Sequence, residues 1–198
     1  RCACWDDAAV SYPMSLPVYL ELQYKDLWDG PYLHTLTEYD EKWSWLKESP
    51  KLKIGLRWQG NPEYDQDLHR SVPLNQMFDQ IKHLDADFYS LQRDSGVEEL
   101  EGLPITDLAP KLTTFCDTLS VINNLDLIIT SCTSIAHAAA AMGKRVIIFT
   151  PISAYYTWSH KSAQTPWYGD NVTLLRQVKP RNWDTPISQL RTIINTEF

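Results

Sequence analysis

Residues 125–149, LDLIITSCTSIAHAAAAMGKRVIIF, read as a strand, a turn, a helix and a second strand. Residues 125–129 are apolar apart from Asp126, and 146–149 are β-branched and aromatic, the composition of parallel strands buried on both faces. The segment between them, 134–142, is dominated by alanine, the strongest helix former. Gly143 supplies a C-terminal stop, and Lys144 and Arg145 follow where cations favour the helix dipole. A βαβ unit of this kind implies an α/β protein built on a parallel sheet.

The turn ahead of that helix carries the first chemistry. Thr130, Ser131, Thr133 and Ser134 set four hydroxyls beside backbone N–H groups that no helical carbonyl satisfies. Phosphate binds well in such surroundings, although the same residues also make an ordinary helix cap. His137 follows Thr133 by four residues, so both share one face near the carboxyl end of the strand, where ligands collect in open parallel sheets. A helical histidine is also a common packing residue, and both roles stay open on these residues alone.

Composition narrows the classes. A chain of 198 residues holds one generous domain, or one domain and part of another. Its formal charge of −7, without any cluster of Lys and Arg, argues against nucleic acid as a partner. No apolar run approaches the roughly 20 residues of a membrane span, and the first residues lack the basic-then-apolar pattern of a secretion signal. Cys2, Cys4, Cys116 and Cys132 have no framework spacing, which fits free thiols in a reducing, cytoplasmic setting. Cys2 and Cys4 form a C-x-C pair with no second pair at zinc spacing, so no metal site is expected. Cys132 at a helix N-terminus is a candidate nucleophile, and more simply a compact residue that lets a ligand approach the turn.

Working outward, residues 1–50 are rich in aromatics and poor in strand-helix alternation, as in a connecting region, with a helix predicted over 37–47 that turns Trp43 and Leu46 inward. From Lys51 the alternation is regular. Strands are predicted at 52–58, 87–91, 105–106, 125–129, 146–149 and 172–175, with helices at 73–83, 113–123, 134–142 and 184–196 and a short one at 97–100. Such alternation implies a Rossmann-like, doubly wound parallel sheet with helices on both faces.

Further candidate residues lie just beyond strands. Gly60 and Asn61 sit in the loop after the first, where Gly60 permits close backbone approach, and Arg70 further on supplies a fixed positive charge. Gln92 and Arg93 follow the second strand, Arg93 placed to meet a phosphate; solvated surface positions account for both arginines equally well. Asp117 favours the first turn of its helix, and Tyr155, Tyr156, Trp158, Trp167 and Tyr168 either line a cleft or pack, at least half of them holding the last helix to the sheet. No G-x-G-x-x-G, no G-x-x-x-x-G-K-[ST] and no G-x-S-x-G occurs, which removes the common dinucleotide, P-loop and serine-hydrolase signatures.

Taken in order, KIGLRWQGNP (53–62), HRSVPL (69–74), FYSLQRD (88–94), DLAP (107–110) with FCDT (115–118), residues 125–144 and TPWYGDNVTLLRQ (165–177) resemble the carboxyl-terminal domain of bacterial glycosyltransferases that often follow tetratricopeptide repeats. That group is related to the family 9 heptosyltransferases and, more distantly, to O-linked N-acetylglucosamine transferase. PMSLP (13–17) resembles the end of the preceding acceptor-side domain. The resemblance implies the nucleotide-sugar-binding half of a GT-B fold. It divides the chain into 1–50, the end of the acceptor-side domain and a linker, and 51–198, the donor-binding domain. It further implies that Thr133, Ser134, Arg93 and Arg70 meet the donor diphosphate, and that His137, Gln92, Gly60 and Asn61 lie near nucleoside or sugar. Many heptosyltransferase relatives carry Asp where Cys132 stands here, so no role of that carboxylate carries over.

The implied reaction is metal-independent displacement at an anomeric carbon, with a nucleotide-sugar as donor and an unidentified protein, glycan or lipid-linked acceptor. The base that activates the acceptor usually comes from the amino-terminal domain, so no catalytic residue is assigned, and activity would require that domain or a repeat-bearing partner. Two other readings compete: a non-catalytic nucleotide-binding or interaction module, and a nucleotide-sugar epimerase of related fold.

Overall fold

The computed structural model describes residues 12, 15–28, 30–65, 67–93, 95–159 and 162–198. Cys2, Cys4, and Pro13 and Met14 of the PMSLP motif lie outside them. The helices are α1 (Leu16–Tyr19), α2 (Thr37–Lys42), α3 (Asp67–Arg70), α4 (Leu74–Phe78), α5 (Phe115–Asn124), α6 (Ser134–Ala141) and α7 (Asp184–Glu197). The strands are β1 (Leu52–Arg57), β2 (Ala86–Ser90), β3 (Thr106–Asp107), β4 (Leu127–Ser131), β5 (Arg145–Thr150) and β6 (Val172–Arg176).

All six strands pair in parallel, in the order β3-β2-β1-β4-β5-β6. The chain therefore reverses its direction of travel between β1 and β4, and their carboxyl ends flank the crevice where open α/β sheets take ligands. β4 is buried along its whole length, and β5 is buried after Arg145, as strands covered on both faces must be.

Each face of the sheet has its own core. One holds α5 and α6, with Leu119, Ile122, Ile135 and the alanines of α6 packed against Ile128 and Ile148. The other holds α4 and α7, where Ile187, Leu190 and Ile194 form a buried stripe over Phe149 and Leu175. Trp43 and Leu46 join the α5 face, as their helical spacing predicted, although the helix breaks at Trp43 and continues as a 3-10 turn over Ser44–Glu48. The predicted helix 73–83 likewise shortens to α4. Beyond it Gln80 and Ile81 bond back three residues, to the carbonyls of Met77 and Phe78, and the coil tightens into turns.

Gly143 ends α6 with φ +72°, and a Schellman pair follows: Gly143 N–H bonds the Ala140 carbonyl at 2.9 Å and Lys144 N–H that of Ala139 at 3.0 Å. The two cations beyond it serve other elements. Lys144 Nζ donates to the Asn123 carbonyl in the last turn of α5, and Arg145 pairs with Glu197 at the end of α7.

The aromatic segment after β5 departs from expectation. Trp158 and Tyr168 are buried on the α6 face, and Trp167 packs partly buried beside them. None of them holds α7, which instead rests its own Trp183 edge-on against Phe149 at 5.7 Å. Their contacts lie with α6, where Trp158 stacks on His137 and the Tyr168 hydroxyl bonds it.

Candidate functional site

A cleft of about 940 Å³ opens along the carboxyl ends of β1, β4, β5 and β6. The loop after β1 contributes Asn61, Tyr64, His69 and Arg70; the α6 turn contributes Cys132, Thr133, Ser134 and His137; Tyr155 and Gln177 line the far end.

Arg70 is fixed from three sides. Its Nε donates to Asp67 Oδ1 at 2.8 Å, its guanidinium lies over the Tyr64 ring at 4.7 Å, and Nη1 donates to the Cys132 carbonyl at 3.3 Å. The second Asp67 oxygen accepts the Ser71 hydroxyl at 2.8 Å, so this buried carboxylate, on the first residue of α3, ties it to the carboxyl end of the helix. Gly60 is required by the arrangement, because a Cβ there would lie 2.5 Å from Arg70 Cζ. The close approach that Gly60 permits is thus made by a side chain of the protein.

At the start of α6, Thr133 is the N-cap residue but its side chain accepts from none of the first N–H groups. Its hydroxyl lies 3.4 Å from that of Thr130, which donates to the Ser131 carbonyl at 2.9 Å. Ser134 is exposed to the cleft. A helix N-terminus without a side-chain cap, with hydroxyls beside it and a held arginine on the adjoining carbonyl, can accept an anion without rearrangement.

His137 is both a lining residue and a packed one. Its ring stacks on Trp158 with centroids 4.4 Å apart, and Nδ1 shares a 2.8 Å hydrogen bond with the Tyr168 hydroxyl. Burial pushes the imidazole below its ordinary value, so the ring is neutral at pH 7. Burial also pushes the Cys132 thiol up, against the opposing pull of the Trp158 N–H, Arg70 and Arg176. A protonated thiol that accepts from Trp158 Nε1 at 3.0 Å suits the compact-residue role better than that of a nucleophile.

The structure brings Thr133, Ser134, Arg70, His137 and Asn61 together on one cleft. Gln92 and Arg93 are not among its lining residues. The Gln92 amide is buried and joins two loops, accepting from Gln59 N–H at 3.2 Å and donating to the Ser95 carbonyl at 2.8 Å, whereas Arg93 is exposed beyond β2. Sequence reasoning missed Asp67, Tyr64 and Gln177. The spacing of Asp67 and Arg70 on one helical face was the available signal for the first; nothing in the sequence marks Gln177.

An all-parallel six-stranded sheet with helices on both faces and a cleft at its topological switch point defines a Rossmann-like α/β domain. Solved glycosyltransferases share it. The ADP-heptose lipopolysaccharide heptosyltransferase II of E. coli superposes with a TM-score of 0.57 at 17% identity, over 87% of this chain and 57% of that protein. A glycosyl transferase family 9 protein of Veillonella parvula gives 0.58 at 12% identity, over 75% of this chain and 43% of that one. The fold is thus that of one half of the GT-B glycosyltransferases, and the chain spans about half the length of the structures it matches. No protein-family model and no curated protein matches the sequence. Among the described residues no helix is long and apolar enough to cross a membrane.

Proposed function

We propose that this chain is the donor-binding domain of a glycosyltransferase, moving a sugar from a nucleoside diphosphate to an acceptor. The observation that carries the reading is the N-terminus of α6, which opens without a side-chain cap onto the cleft beside the held guanidinium of Arg70. The diphosphate would lie against Thr133 and Ser134 with Arg70 as its cation, and His137 and Asn61 would flank the rest of the donor. Gly60 serves by making room for Arg70. Gln92 supports the loop after β1, and Arg93 is kept as a secondary phosphate contact beyond β2.

In this reading the bond from the anomeric carbon to the β-phosphate oxygen breaks as the acceptor oxygen or nitrogen bonds that carbon, and the acceptor's proton passes to a base. The charge that grows on the departing diphosphate is stabilised by the helix dipole, the hydroxyls and Arg70. The base and the acceptor surface are assigned to a second, amino-terminal domain, as the resemblance to these glycosyltransferases implies. The tetratricopeptide context and the kinship with O-linked N-acetylglucosamine transferase belong to the same proposal.

Calorimetric titration with UDP, GDP and ADP tests it. One of the three should bind, and Thr133→Val combined with Ser134→Ala should weaken it; no binding by the unaltered chain would overturn the donor-site reading.

A further inference from the structure

The chain leaves β6 through Gln177, whose N–H still bonds the Thr150 carbonyl at 3.0 Å and so keeps its place in the ladder. Gln177 is only 3% exposed, it lines the cleft, and its Nε2 has no hydrogen-bond partner among the described residues. A buried amide donor without a partner is costly, and in a native structure it calls for an occupant. Ser131 and Thr150, at the ends of β4 and β5, also keep a buried hydroxyl without a partner, but Gln177 is the one that faces the cleft.

Among the described residues, those that line the cleft around Gln177 are uncharged. Arg176, the cation next to it, is engaged by the carbonyls of Pro151 and Ser159, and the nearby lining is Pro151, Ile152, Tyr155 and Pro180. Tyr155 is 56% exposed at the rim and is backed by Tyr156 at 4.5 Å, which meets Trp167 edge-on at 5.7 Å. The cleft is therefore polarised. Its β1–β4 end carries Arg70 and the α6 N-terminus, while its β5–β6 end, two strand spacings or roughly 10 Å away, offers a neutral donor and the face of an aromatic ring.

The geometry points to a subsite for the glycosyl unit of the donor at the β5–β6 end, in which Gln177 Nε2 donates to a sugar hydroxyl and Tyr155 covers the apolar face of the ring. This rests on the donor-site reading above and adds its direction: diphosphate toward Arg70, sugar toward Gln177. A sugar fits this end better than a phosphate because no Lys or Arg is among the described residues that line it. It fits better than a base because the rim there is open, as the carbon under attack must be to an incoming acceptor.

The test compares bare and sugar-bearing nucleotides on the full chain. For whichever of UDP, GDP and ADP binds, the affinities of the nucleotide and of its conjugate, UDP-glucose, GDP-mannose or ADP-glucose, are measured with Gln177, Gln177→Met and Gln177→Asn. The conjugate should bind the unaltered chain more tightly than the bare nucleotide. Gln177→Met should lose about tenfold on the conjugate and less than about twofold on the bare nucleotide, with Gln177→Asn in between. The melting temperature of Gln177→Met without ligand should hold or rise, because an amide that lacks a partner is removed. Equal losses on both ligands, no loss on either, no preference for the conjugate, or a lowered melting temperature would overturn the subsite while leaving the diphosphate site standing. Absence of nucleotide binding by the unaltered chain would remove both.

Discussion

Two helices of this domain begin with similar residues and end up with opposite N-termini. Before α5, Thr113 and Thr114 lead to Asp117, and every group is engaged. Thr114 Oγ accepts from Asp117 N–H at 3.1 Å, and Asp117 Oδ2 accepts both N–H groups and both hydroxyls of Thr113 and Thr114 at 2.8–3.1 Å. The other Asp117 oxygen takes Lys42 and the Trp43 indole, tying α2 and the start of its 3-10 extension to α5. Before α6, Thr130, Ser131 and Thr133 lead to Ala136 at the position where α5 has its aspartate, and the first turn has no side-chain cap. A closed capping box stabilises the fold; an open N-terminus costs some stability and leaves a place for an anion.

Variants can break this contrast, and the largest effect should come from Asp117→Ala. Burial alone would raise the Asp117 carboxyl, but bonds from Lys42, Trp43, Thr113 and Thr114 hold it well below the usual carboxylate range. Its loss should cost about 3 kcal/mol, or roughly 6–12 °C in thermal melting, without changing nucleotide affinity in chain that remains folded. Lost affinity at constant fold would mean that the two helices do not divide the work.

Next in size is Arg70→Ala. It should weaken nucleoside diphosphate binding about 10- to 100-fold while sparing any binding of the bare nucleoside, as removal of a charge-assisted phosphate contact does. Arg93→Ala should change it by less than about threefold, and the reverse ranking would move the phosphate site toward β2.

Paired cap variants sharpen the contrast further. Thr114→Val should cost about 1 kcal/mol, roughly 2–4 °C, and leave binding alone. Thr133→Val with Ser134→Ala should do the opposite, lowering diphosphate affinity about fivefold with a melting change below about 2 °C.

The smallest effect is in the pH dependence of stability. Burial depresses the His137 imidazole in the folded chain, so the neutral ring's contribution is fully present above its unfolded value near 6.5 and is lost as pH falls through the lower folded value. Chemical denaturation between pH 7.5 and 5 should show a loss of stability that His137→Gln reduces; an identical slope in both proteins would mean that His137 is protonated without penalty.

Much of this was readable residue by residue. The apolar residues of 125–129 and 146–149 mark β4 and β5 to within two residues because buried parallel strands tolerate few polar side chains, and the alanines of α6 mark a helix whose close packing leaves no room for more. The unlike N-termini were also present in the pattern, Thr114 with Asp117 three residues on against Thr133 with Ala136. Which arginine faces the crevice was not. Arg70 and Arg93 both follow strands, and the choice depends on Asp67, Tyr64 and the missing Cβ of Gly60, contacts that form only when the loop after β1 folds back upon itself.

The sequence by itself determined a parallel α/β domain and a hydroxyl-rich turn before α6, because strand burial, helix propensity and capping are local properties of residue order. Tertiary structure alone decided that Trp158 and Tyr168 pack under α6 beside His137, that Gln177 ends in the cleft with its amide unmatched, and that Arg70 is the guanidinium held there. Those outcomes depend on which strand ends become neighbours in the order β3-β2-β1-β4-β5-β6, a matter of packing across the sheet that no short stretch of chain encodes.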